Sequence, residues 1–477
     1  MNIIVCIGNN LQHDTRVKRH ISALLDKGHH VHVVAFPEPN NTFGMAEKNL
    51  TYSFVDFKYT DYPITPVLRR FLEKYKIWKK FLSIFPFLNT NKYYDNKNII
   101  KYKRKLDLLI SGNRWEEITG RKAEPMPDDQ ALSYPLIFLD KTIQFVKEVL
   151  KYDADCILCN DEDTLLCGVI HKIAKGTRFV YDFHDLMSDI SDGVFPQIYS
   201  NFFALFEKTF IKYADAVMSV SVAELEWTKK HYGFRQPAIA MLNCSDVKLD
   251  SQIHKKSFNK KLRIYFHGIV GPDKGLWEMI KILEDRDDFE FIIRGIQSDF
   301  LDQLKDYVKD KNLNNKIHFK EPVSPKEIPA ASNKDGDIGY SFINYKECIN
   351  WECALTNKFI EYCKGGLPII TSAAKEQARI IKEYHNGWVL EDNSINSIKN
   401  VLNAIIRDKE KLSEMSDNSF KVANEIFDWN NYKQLFVDII VGNKHTIEKN
   451  NIHYKNNYLQ LFKWEIEDLI NRLRARR

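Results

Sequence analysis

Residues 354–371 read ALTNKFIEYCKGGLPIIT, and this run holds one complete helix-to-strand joint of an α/β protein. Thr356 or Asn357 can open a short helix, Gly365 and Gly366 stop it, and Pro368 leads into the apolar strand Ile369-Ile370-Thr371. Asn357 and Glu361 stand four residues apart, so they share one face close to the helix's positive end. A carboxylate placed there can accept hydrogen bonds from two vicinal hydroxyls, while the free N–H groups of the first turn can hold a diphosphate. The same spacing suits an ordinary surface helix with a glycine cap, so spacing alone leaves both readings open.

The rhythm extends outward from this joint. In the first forty residues a strand at 3–7 is followed by a helix opened by Asp14-Thr15-Arg16-Val17 and ended at Gly28, then by a buried strand at 31–36. Such a βαβ unit requires a parallel sheet covered by helices. Further strands are expected at 156–159, 179–182 and 216–221 and, after a turn-rich stretch at 242–246, at 262–268, 289–295, 317–319 and 337–340. The expectation is an α/β chain with two doubly wound sheets, over 1–245 and 246–424. They would face a cleft in which strand carboxyl ends gather loops. An insertion at about 60–135 and C-terminal helices at 425–477 that pack back on the first domain complete this layout.

At 477 residues, with 44% hydrophobic and 13% aromatic side chains, there is material for two or three real cores. Lysine and arginine exceed the acids by 69 to 64, and a net charge of +5 is too slight for a general nucleic-acid binder. No apolar run approaches the ~18–20 residues a bilayer crossing needs, and the N-terminus reads as a first strand rather than a leader, which points to the cytoplasm. The eight cysteines sit mostly in apolar segments, as buried free thiols do. Cys156 and Cys159 have C-x-x-C spacing but flank Ile157-Leu158 in a strand, with no second pair at zinc-site distance, so no metal is expected.

The wording of 354–371 resembles the donor-site segment of family 4 and related GT-B glycosyltransferases, where an Asn/Pro-Lys-Phe-x-Glu-Tyr helix precedes Gly-x-Pro and two branched apolar residues. The resemblance covers roughly residues 1–40 and 150–440. It implies the GT-B architecture of two Rossmann-like domains and makes Glu361 the residue that grips the donor ribose. Family members often carry a second glutamate where this chain has Cys353, and a thiol cannot replace a carboxylate as acceptor for two hydroxyls. In the run 266–275, FHGIVGPDKG, a strand enters a glycine-bearing loop: Gly268 lets backbone approach a phosphate and Lys274 supplies a point charge. Ile269 stands where relatives often have arginine, which leaves Lys274, with Lys358, to stabilise the diphosphate. The bland alternative is a plain strand-to-helix turn.

Residues 180–186, VYDFHDL, resemble the family's Tyr-Asp-x-His-Glu/Asp motif, which implies that His184 touches the donor sugar and brings Asp185 to the acceptor side. Alternatively, Asp185 or Ser188 caps the next helix. Asp14 and Arg16 match the family's opening Asp-x-Arg-Val and are candidates for the acceptor side. Their structural alternative is an N-cap and a first-turn residue. Arg294 ends a strand at a place the family uses for the nucleotide, although an arginine there is equally often idle.

Residues 66–88 mix aromatics with lysines and arginines. Read as a helix, they suit the headgroup region of an anionic membrane, or an insertion with a solvated lysine face. Residues 458–477 also show helical apolar spacing with a basic end. The combined expectation is a retaining, metal-independent glycosyltransferase without cofactor. It would move a sugar from a nucleoside diphosphate sugar to a glycan or lipid-linked acceptor in surface polysaccharide assembly, at the inner face of the cell membrane. A sugar-nucleotide epimerase and a non-catalytic GT-B partner subunit are the alternatives.

Overall fold

The computed structural model describes residues 1–11, 14–37, 47–56, 130–187, 197–244 and 261–443, with a few single positions besides. The basic helix expected at 66–88, almost all of the insertion around it and the segment 458–477 lie outside those residues. The chain divides into two compact units, Met1–Met241 together with the chain from Lys433, and Leu242–Tyr432.

The first unit is built on a seven-stranded sheet in the order β3-β2-β1-β4-β5-β6-β7. Its strands are β1 Asn2–Ile7, β2 His30–Ala35, β3 Leu50–Phe54, β4 Cys156–Asn160, β5 Arg178–Phe183, β6 Ala216–Ser219 and β7 Ala238–Ala240. Every pair is parallel. Helices cover a parallel sheet on both faces, which is why Ile3 to Ile7 and all of β4 are buried without alternation. Strand order reverses between β1 and β4, whose register sets Ile7 opposite Asn160, and Asn160 in turn lies opposite Asp182 of β5. The residues that leave these strands, Gly8, Asp161 and His184, therefore share one rim at the topological switch point.

The helix Asn430–Val441 carries the chain back into this unit. Phe436 stacks on His20 with ring centroids 4.1 Å apart, Arg178 donates to the Ile439 carbonyl at 2.9 Å, and Lys433 pairs with Asp26. Beneath the sheet, Glu207 is buried and accepts hydrogen bonds from Tyr181 at 2.7 Å and Tyr232 at 3.0 Å. Burial outweighs those bonds and pushes its carboxyl up to about 7. A folded-state pKa raised above the unfolded one makes stability fall as pH rises from about 4.5 to about 7, by about 3 kcal/mol from this group. Glu207→Gln is expected to remove that component, read as the difference between the two proteins' urea-unfolding free energies across the window.

The second unit holds six parallel strands in the order β10-β9-β8-β11-β12-β13. They are β8 Leu262–Gly268, β9 Phe289–Gly295, β10 Ile317–Lys320, β11 Ile338–Ser341, β12 Ile369–Thr371 and β13 Gly387–Val389. Its core joins Ile264, Phe266, Phe291, Ile293, Tyr340 and Ile370 of the sheet to Leu276, Ile280, Leu402 and Leu412 of the helices. The strand order turns back between β8 and β11, so the loops after Gly268 and Ser341 open side by side.

Candidate functional site

Within the second unit, the helix Asn357–Lys364 begins where β11 and β12 end. Its N-cap is Thr356, whose hydroxyl accepts from the Phe359 N–H at 3.3 Å and contacts Ser341 Oγ at 3.1 Å. Gln377 accepts from both hydroxyls, at 2.9 Å from Ser341 and 2.8 Å from Thr356, and donates to Thr371 Oγ1 at 3.1 Å. A polar clasp thus ties the start of the helix to the carboxyl ends of two strands. One turn further on, Tyr362 is fully buried and anchors the helix against the sheet. Its ring stands edge-on to His267 with centroids 5.0 Å apart, and its hydroxyl accepts from the His267 N–H at 3.3 Å.

This docking brings Glu361 to the end of β8, where His267 Nε2 lies 2.6 Å from Glu361 Oε2. His267 is buried and its Nδ1 has no hydrogen-bond partner among the described residues, so Nε2 is the ring nitrogen that meets Glu361. One carboxylate oxygen of Glu361 is therefore held while the side chain keeps a partly open face. Gly268 follows at φ +112°, and a Cβ there would lie 3.9 Å from the Lys358 Cδ. Lys358 packs its ammonium over Phe266 at 4.7 Å from the ring centroid. Burial and the charge of Lys274 push that ammonium down to about 8, while Asp273 and Glu361 pull it upward. Lys274 pairs with Asp273 and lies 5.2 Å from the Trp351 ring centroid. Gly268, Lys274, Lys358 and Glu361 are thus brought to one rim, and Ile269 (71% exposed) and Ile296 (55% exposed) extend from β8 and β9 beside it.

The remaining residues marked in this unit are placed differently. Arg294 is committed to a structural network, donating to Tyr265 Oη at 3.0 Å, to Asp335 at 2.6 Å and to the Glu321 carbonyl. Asn357 is exposed and accepts from Asn243 at 3.1 Å. Cys353 is buried, and the neighbouring acid Glu352 is turned to Lys375 at 3.1 Å. His267 was not among the expected residues. Its only signal in the sequence is its place one residue before Gly268 at a strand's carboxyl end.

In the first unit, Asp14 is the N-cap of the helix Thr15–Asp26, accepting from the Val17 N–H at 3.0 Å and from Asn9 at 3.2 Å. Arg16 is buried and forks onto Asp182, with Nε at 3.0 Å and Nη2 at 2.8 Å, and its third nitrogen donates to the Met241 carbonyl at 2.7 Å. Burial alone would raise the Asp182 carboxyl, but Arg16 and His184 hold it well below the usual carboxylate range. His184 is 17% exposed, with Nε2 3.3 Å from Asp182 and Nδ1 3.2 Å from Asp161. Burial pulls its pKa down, yet the two carboxylates outweigh this and lift it well above 6.5. Asp185 is exposed. Among the described residues no group of three or more His, Cys, Asp and Glu side chains is arranged to hold a metal ion, and no helix is long and apolar enough to cross a membrane.

Comparison with known proteins gives this geometry a family. Residues 250–422 match the model described as Glycosyl transferases group 1, and residues 105–244 match Glycosyltransferase Family 4. Spore coat protein SA of Bacillus subtilis (strain 168) is 23% identical over 183 residues, 37% of this chain and 46% of that protein, so the match spans about half of that relative. Sucrose-phosphate synthase of Thermosynechococcus elongatus superposes with a TM-score of 0.60 at 13% identity, covering 92% of this chain and 98% of that one. Anabaena HepE in complex with UDP and glucose gives a TM-score of 0.55 at 15% identity, covering 92% and 99%. At these identities the two structures establish the shared fold, that of GT-B enzymes. With a family 4 match in its first unit, a group 1 match in its second and a parallel α/β sheet in each, the chain belongs to the group 1, family 4-like glycosyltransferases.

Proposed function

We propose that this chain transfers a sugar from a nucleoside diphosphate sugar to a glycan or lipid-linked acceptor, with retention of anomeric configuration and without a metal ion. Its setting would be surface polysaccharide assembly at the cytoplasmic face of the membrane. The observation that carries the reading is the meeting of Glu361 with the ammonium groups of Lys358 and Lys274 at the end of β8. Glu361, steadied by His267, offers a carboxylate oxygen to the ribose hydroxyls. The two lysines and the first turn of the helix Asn357–Lys364 receive the diphosphate. Exposed Ile269 and Ile296 supply an apolar surface for the base. HepE, which shares the fold, is described in complex with UDP and glucose.

In the transfer step, the bond from the anomeric carbon to the diphosphate oxygen breaks and one to the acceptor oxygen forms on the same face. The acceptor's hydroxyl proton passes to the departing phosphate. Negative charge grows on the diphosphate as it leaves, which is where Lys274 and Lys358 lower the barrier. No side chain has to act as a base, because the leaving group is one. The test is release of nucleoside diphosphate from a panel of nucleotide sugars, with and without a polyprenyl-linked glycan acceptor and with and without EDTA. Acceptor-dependent, EDTA-insensitive release supports the proposal. An altered free nucleotide sugar formed from donor alone points to an epimerase, and donor binding with no release under any condition points to a non-catalytic subunit.

Lys358 adds a pH signature. Its ammonium titrates near 8, and a bound diphosphate favours the charged form. Affinity for a nucleoside diphosphate is therefore expected to fall as pH rises through about 8, by up to about tenfold per unit, with proton uptake on binding. Calorimetry in two buffers of different ionisation enthalpy reads that uptake, and Lys358→Met should abolish it.

A further inference from the structure

At the end of β4, Asp161 adopts φ 61° and ψ 171°, a backbone conformation that side-chain-bearing residues rarely occupy. It sits at the N-cap position of the helix Glu162–Lys175, where an aspartate ordinarily caps the helix through its side chain, yet it makes no such bond. Its carboxylate turns instead to His184, with Oδ1 accepting the His184 backbone N–H at 2.9 Å and Oδ2 lying 3.2 Å from Nδ1. The Asp161 N–H donates to the Asp182 carbonyl at 2.9 Å, which fixes the register of this contact. On the other side of the ring, Nε2 lies 3.3 Å from Asp182 Oδ2. With a carboxylate oxygen facing each ring nitrogen, both nitrogens carry protons.

We propose that Asp161 is a positioning residue that holds His184 as an oriented imidazolium, and that the chain accepts backbone strain and an uncapped helix to do so. The proposal deepens the transferase reading and rests on it, taking from the family resemblance the expectation that His184 touches the donor sugar. A ring whose two N–H groups are both engaged cannot take the acceptor's proton, so His184 is a fixed electrostatic group, in keeping with a leaving phosphate that serves as the base. The charged and titratable groups that face it are Asp161 at the end of β4 and Asp182 on β5. Arg16 and His20 of the helix Thr15–Asp26 lie behind Asp182.

Asp161→Gly, Asp161→Ala and Asp161→Asn separate strain from positioning. Glycine relieves the backbone and alanine does not, so Asp161→Gly is expected to melt several degrees above Asp161→Ala; equal melting temperatures would overturn the strain component. In Asp161→Gly and Asp161→Asn, the His184 imidazole, followed by NMR titration without substrate, is expected to titrate at lower pH than in the wild type. With donor and acceptor, kcat of Asp161→Gly should drop 10- to 100-fold while donor KM changes less than threefold, and Asp161→Asn, which keeps an acceptor for the His184 N–H, should recover part of that loss. An unmoved His184 titration, or kcat within twofold of wild type, overturns the positioning role. Failure of the transferase reading would appear separately, as a wild type that turns over no donor, and the titration still decides whether Asp161 holds the ring.

Discussion

Asp182→Ala is expected to destabilise the first unit by about 3–5 kcal/mol, the cost of removing one partner from a buried ion pair and leaving the other charge behind. Asp182 is fully buried and meets three cationic or ionisable side chains: Arg16 through two bonds at 3.0 and 2.8 Å, His184 at 3.3 Å, and His20 at 3.7 Å. Without it, the Arg16 guanidinium keeps its bond to the Met241 carbonyl but loses both of its bonds to a carboxylate, in a buried site. The sign with pH follows from the direction of the shift. Because the folded carboxyl titrates far below its unfolded value, the stabilisation is complete above about pH 4 and is lost as the medium turns more acidic. Urea unfolding at pH 7 followed by the first unit's tryptophans should show the full loss. A deficit below about 1 kcal/mol would mean that the pair is far better solvated than its burial indicates.

Glu361→Ala is expected to lower kcat/KM by about 10²- to 10³-fold, or roughly 2.7–4 kcal/mol of transition-state stabilisation, with the fold intact by circular dichroism. The carboxylate is partly exposed and its helix is anchored by Tyr362, so the side chain can go without opening a core cavity. Most of the loss should appear as weaker binding of donor and of nucleoside diphosphate, since a ribose contact is made before and during the reaction alike. His267→Ala removes only the clamp on one oxygen and should cost about tenfold. Activity of Glu361→Ala within threefold of wild type would dismiss the ribose-binding role.

How much of this was legible beforehand varies with the range of the interaction. The strand at 262–268 and the helix capped by Thr356 follow from local patterns, the first an apolar run entering Gly268, the second a hydroxyl three residues ahead of the amide it caps. The strands β3, β7 and β13 escaped notice: β3 is a half-exposed edge with Thr51 and Ser53, and β7 and β13 are three residues long, Ala-Ile-Ala and Gly-Trp-Val, without the Gly-Gly-Leu-Pro joint that marks the equally short β12. The partner of Arg16 lies 166 residues away, and no spacing rule reaches that far. The same limit hid the contact of His267 with Glu361 and the way Asp335 and Tyr265 occupy Arg294. Lys274 and Lys358 could be marked as cations from the sequence. That one lowers the other's proton affinity is a property of distance alone.

All eight cysteines are reduced and buried, four in each unit: Cys6, Cys156, Cys159 and Cys167 in the first, and Cys244, Cys348, Cys353 and Cys363 in the second. A native molecule consequently offers no ready thiolate to an alkylating agent or to peroxide, and each sulfur becomes reactive only when its surroundings open. Peptide-resolved alkylation rates would then act as two sets of internal clocks, timing the breathing of each half separately without any engineered label.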